Sequence, residues 1–157
     1  MNDLQIYAYS TVKALVYLHE EHLLSFFNSW QKCKSANLLL PETSDPDYNS
    51  MDTLLHHVIN SSKNYLVWIC RNVNIDYSNI TSEMDLNPNE LYTQKFIDKL
   101  MILWKDSLTK LTSCDLEKVF ISNWNVKYSI EAMLEHAVMH CIRHEYQLRN
   151  LLKVKSE

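Results

Sequence analysis

The chain has 157 residues, with 15 Lys and Arg against 19 Asp and Glu, a formal net charge of −4, and 46% apolar side chains. That length suits one domain (residues 1–157) with a sizeable core, and mild acidity without a basic stripe argues against a nucleic-acid partner. Glycine is absent and there are only three prolines; this removes the Rossmann and P-loop readings, whose phosphate-cradling loops need glycine, and makes an all-α fold the natural expectation.

The first periodic segment covers residues 2–34. Leu4, Ala8, Val12, Leu15, Val16, Leu23, Phe27 and Trp30 supply its helical stripe, with His19 on that stripe and His22 at its edge. Ile6, Tyr7, Tyr17, Leu24 and Phe26 lie largely off it. A helix apolar nearly all round predicts an interface, and hence a homodimer. Residues 37–49, rich in Pro, Asp, Ser and Asn, read as a loop.

Ser50 caps a second helix that runs to about Asn72, with Asp52 in its first turn. His56 and His57 are adjacent, so they point about 100° apart and only one can face inward. His57 shares its face with Leu54, Val58, Ser61, Tyr65 and Trp68, whereas His56 goes with Asp52, Thr53, Asn60 and Lys63. The inward one is His57.

Residues 74–87 form a polar connection, and Pro88 with Glu90 announces a third helix striped by Leu91, Phe96, Leu100, Leu103, Trp104, Leu108 and Leu111. That helix offers packing rather than ligands. Residues 112–127 read as a further loop containing Trp124, and Ser129 caps the last helix. Four long helices joined by long loops suggest a four-helix bundle.

The last helix carries the chemistry. His136, His140 and His144 recur every four residues, about 40° apart around the axis, on the face of Met133, Ala137, Cys141, Leu148 and Leu151. Core-facing imidazoles are costly unless their nitrogens are satisfied, by hydrogen bonds or by a metal. His140 and His144 can share one ion, and His57 supplies a third imidazole. Three protein ligands leave positions open for water or substrate, as in catalytic sites. Gln147, Asn64 and Glu135 are candidates to orient the rings. His19 and His136 are candidate proton relays, though each reads more simply as a core or rim side chain. No nucleophile–base arrangement is evident, and the catalytic residues are left unassigned. Cys33, Cys70, Cys114 and Cys141 lack a Cys-x-x-Cys spacing and read as reduced, mostly buried thiols. With no signal-peptide pattern and no apolar run long enough for a bilayer, the expectation is a cytoplasmic chain without a membrane partner.

Asp52-Thr-Leu-Leu-His-His-Val-Ile-Asn-Ser-Ser-Lys-Asn-Tyr-Leu66 resembles the second helix of the DinB/YfiT-like superfamily, and Leu134-Glu-His-Ala-Val-Met-His-Cys-Ile-Arg-His-Glu-Tyr-Gln147 resembles its last helix. The resemblance implies a four-helix bundle, metal ligands at His57, His140 and His144, dimerisation, and metal- and thiol-dependent transferase or isomerase chemistry on a small molecule. Glu145 and Tyr146 depart from the family's frequent Arg-Gly, which unsettles any carry-over of substrate preference. The ion would be Zn or Ni first, then Fe, Mn or Co, since imidazoles accept several divalent metals. Such an ion draws the pKa of a bound thiol or water toward neutrality. The alternatives are a metal-dependent hydrolase and a non-enzymatic stress or interaction protein.

Overall fold

The computed structural model describes residues 6–83 and 94–156, and is mostly helical with one two-stranded hairpin. In chain order the elements are α1 (Ser10–Ser35), a 3-10 turn (Pro46–Tyr48), α2 (Met51–Asn72), α3 (Ser78–Glu83), α4 (Gln94–Leu108), α5 (Ser113–Leu116), β1 (Val119–Ile121), β2 (Lys127–Ser129) and α6 (Ile130–Ser156). Among the described residues, no helix is long and apolar enough to cross a membrane.

Without glycine, asparagine takes every left-handed backbone position among the described residues. Asn37, Asn74 and Asn125 have φ of 52°, 57° and 63°. Asparagine tolerates this region better than other residues with a Cβ. Asn37 ends α1 in a Schellman arrangement, with Leu38 N–H donating to the Cys33 carbonyl (3.0 Å) and Asn37 N–H to that of Lys34 (3.0 Å). Asn74 does the same after α2, where Ile75 N–H reaches the Cys70 carbonyl at 2.9 Å.

The expected stripes are the buried ones. Val12, Val16, Leu23, Phe27 and Trp30 of α1, Leu54, Val58, Tyr65 and Trp68 of α2, Phe96, Leu100, Trp104 and Leu108 of α4, and Met133, Ala137, Cys141 and Leu148 of α6 join one core. Helix α6 packs on α1 and α2, and α4 closes against α1 and α2. The apolar breadth of α1 is partly absorbed here. Phe26 is fully buried, Tyr7 and Leu24 pack against the core, and Tyr17 and Leu18 stay about 40% exposed. Three cysteines are buried and free, and Cys114 is exposed and free.

Three boundaries differ from expectation. The first helix begins at Ser10, and residues 6–9 are non-helical, with Ala8 N–H bonding to the Thr109 carbonyl (2.8 Å); Leu4 lies outside the described residues. The polar connection contains α3, whose start is held by Ser78 N–H on Asp76 Oδ1 (2.9 Å). Pro88, Glu90 and Leu91 lie outside the described residues, and α4 is described from Gln94. The last loop is not irregular. It folds into α5 and an antiparallel hairpin that pairs Phe120 with Tyr128. Trp68 of α2 anchors the hairpin, donating from Nε1 to the Ile121 carbonyl at 3.1 Å.

Candidate metal centre

Position 57 faces inward because the start of α2 is pinned. Ser50 Oγ accepts from Thr53 N–H (3.1 Å) and Thr53 Oγ1 accepts from Ser50 N–H (2.9 Å), a reciprocal cap that sets the helix phase. His57 is then half-buried and His56 exposed. Helix α6 is started likewise by Ser129, whose hydroxyl accepts from Ala132 N–H at 3.0 Å. One turn apart on α6, His140 and His144 face His57.

The three imidazoles converge. His57, His140 and His144 each offer a ring nitrogen, all within 4.8 Å of one another, and could hold a metal ion. The ring centroids lie 5.0 Å (His57–His140), 5.3 Å (His57–His144) and 4.6 Å (His140–His144) apart. The Nε2 atoms of His57 and His140 are 3.1 Å apart. Two lone pairs that close repel unless a proton or a cation lies between them.

The far nitrogens are held. His57 Nδ1 donates to Asp47 Oδ2 at 3.0 Å and His144 Nδ1 to Gln147 Oε1 at 2.8 Å. Both acceptors place the proton on Nδ1 and leave Nε2 as the lone-pair nitrogen, the arrangement by which ligand histidines are oriented. Burial pushes His140 down to about 2, with His144 and His57 beside it acting in the same direction. Burial also takes His144 down to about 4, against the raising effect of the Gln147 hydrogen bond. These two rings are therefore neutral at pH 7, the state a metal ligand needs.

Gln147 was legible among the candidate orienting residues; Glu135 is exposed and plays no part in the cluster. Asp47 and Tyr48 were not anticipated. They arrive on the 3-10 turn, where Pro46 sets the first φ and the Asp45 side chain accepts from Asp47 N–H (3.0 Å). Tyr48 packs 5.7 Å from the His57 ring and 5.6 Å from that of His144. The Asp-Pro pair signals a turn, but nothing in the periodicity says that the turn folds over α2.

The other histidines stand outside the trio. His136 sits among Tyr65, Trp124 and Tyr128, with Nε2 3.3 Å from the Tyr65 hydroxyl and Nδ1 3.5 Å from that of Tyr128. His22 Nδ1 lies 3.2 Å from Glu145 Oε2, and Ser25 donates to Glu145 Oε1 at 2.7 Å. Burial opposes ionisation of Glu145, but the bonds from Ser25 and His22 and the Arg149 charge outweigh it and hold its carboxyl below the ordinary range. Glu145 thus clamps α6 to α1. Tyr146, at 64% exposure, leaves that contact untouched.

His19 is buried, 3.2 Å from Ser62 Oγ, with its ring centroid 4.3 Å from that of Trp104 at a 43° tilt. Burial pushes it down to about 3, against about 6.5 in the unfolded chain. Between those values the unfolded state binds the extra proton, so stability is full above about pH 6.5 and falls as the pH drops toward 3. The urea midpoint is expected to fall between pH 6.5 and 4.5, above most carboxylate titrations, and His19→Gln to lessen that fall, the remainder coming from His140 and His144. A midpoint constant over this window would contradict the assignment.

Fold and site together define a helical protein with a three-imidazole cluster able to hold a metal ion. No family model, no curated protein and no solved structure matches this chain.

Proposed function

We propose that the chain is a divalent-metal-dependent protein of the DinB/YfiT-like four-helix-bundle type, acting as a transferase on a small molecule with a low-molecular-weight thiol as co-substrate. The convergence of His57, His140 and His144 within 4.8 Å carries the reading. The shared core of α1, α2, α4 and α6 supports the bundle type. An ion bound there supplies Lewis-acid activation of the thiol. Asp47 and Gln147 hold two of the rings in the tautomer that presents Nε2, and Tyr48 closes one side of the cluster. The transfer forms a sulfur–carbon bond and breaks the bond to the leaving group, which departs with its electron pair and takes up the thiol proton.

Elemental analysis of protein purified without added metal tests the first half, with about one zinc or nickel ion per chain expected. Thiol consumption across a panel of electrophiles, abolished by chelation and restored by either metal, tests the second. Metal-dependent hydrolysis without thiol consumption would replace the transferase by a hydrolase. A chain with no affinity for divalent ions would overturn both.

A further inference from the structure

We infer that the cleft between the three-histidine cluster and the hairpin tip binds an uncharged, flat small molecule with the character of an aryl amide. The assignment rests on the metal-centre reading only for the chemistry at its His57 end. The cleft has a volume of about 280 Å³, with His57, Ser61, Asn64, Tyr65, Asn123 and Trp124 in its lining. At about 30 Å³ per water molecule it accommodates roughly nine waters, or a ligand of about as many heavy atoms.

Its walls select shape. Tyr65 and Trp124 stand edge to face, with ring centroids 6.3 Å apart. Trp124 is 43% exposed, yet Tyr128 and His136 each back it at 5.3 Å. A flat ring laid against this pair gains edge and face contacts that a tetrahedral group does not.

Its polar groups select charge. Ser61, Asn64 and Asn123 offer neutral donors and acceptors, and the lining contains no Asp, Glu, Lys or Arg among the described residues. An ion entering here loses water without gaining a counter-charge. A second cleft, of about 360 Å³ and bounded by Tyr48 and Gln147, is the opposite, carrying Arg143, Glu42 and Asp45. Only the first cleft includes a histidine of the cluster in its lining. An aromatic enclosure can also favour cations, which sets the comparison to be made.

The test uses benzamide, with its planar cation of the same shape, benzamidine, titrated by ligand-observed NMR into chelator-treated and zinc-loaded chain. Benzamide is expected to bind in both forms, about fivefold tighter than benzamidine. Trp124→Ala should weaken it about fivefold while leaving the helical circular dichroism and zinc affinity unchanged. Asn64→Asp, at an exposed position, should invert the preference. Equal or tighter binding of benzamidine by the unmodified chain, or benzamide binding indifferent to Trp124, overturns the inference. If zinc fails to bind but the benzamide pattern holds, the metal reading falls and this one stands; the reverse outcome sinks this one alone.

Discussion

His57→Ala is expected to lower zinc affinity by more than about 100-fold, and His56→Ala to leave it unchanged. Perturbing the groups that merely orient a ligand histidine costs about 10- to 100-fold, so removing the ligand itself costs more. The adjacent residue is the control, because both substitutions delete an imidazole from the same turn of α2 but only His57 faces His140 and His144. Asp47→Asn should fall between, since an amide replaces the carboxylate on His57 Nδ1 at 3.0 Å but keeps an oxygen acceptor. Isothermal titration with zinc against a competing chelator measures all three. Equal losses for His56→Ala and His57→Ala would mean that the imidazoles bind singly at the surface.

Trp104→Ala is expected to cost about 3–5 kcal/mol of stability, the range for deleting a fully buried aromatic. Trp104 is 0% exposed in the core and lies against His19 of α1. Its loss would leave a cavity where α4 meets α1. Trp104→Phe should cost much less. The indole Nε1 has no hydrogen-bond partner among the described residues, so removing it sacrifices no bond and relieves a buried polar group. Urea unfolding followed by circular dichroism distinguishes the two substitutions. A loss below about 1 kcal/mol for Trp104→Ala would show that the site collapses without cost.

Helical phase made the trio readable. His57 follows a Ser50 cap at a fixed number of residues, and His140 and His144 share one stripe with Met133, Ala137 and Cys141, so the facing direction of each follows from 100° per residue. Asp47 was not readable, because its place on His57 depends on how a 13-residue loop folds back, and loops carry no period. The hairpin was hidden for another reason. Val119–Ile121 and Lys127–Ser129 are only three residues each, too short to show alternation, and their turn uses Asn125 at φ 63° where a glycine would have signalled it. Helix α1 was overextended because Leu4 and Ala8 continue its apolar period, whereas Ala8 spends its N–H on Thr109, a partner distant in sequence.

His57, His140 and His144 are proposed to hold one divalent ion together. An anomalous-difference map from crystals of the zinc-loaded chain, recorded at the zinc edge, tests it most directly. One strong peak is expected about 2.0–2.1 Å from the Nε2 atoms of all three histidines. A strongest peak elsewhere, at exposed His56 or Cys114 for example, with nothing between the three rings, would contradict it.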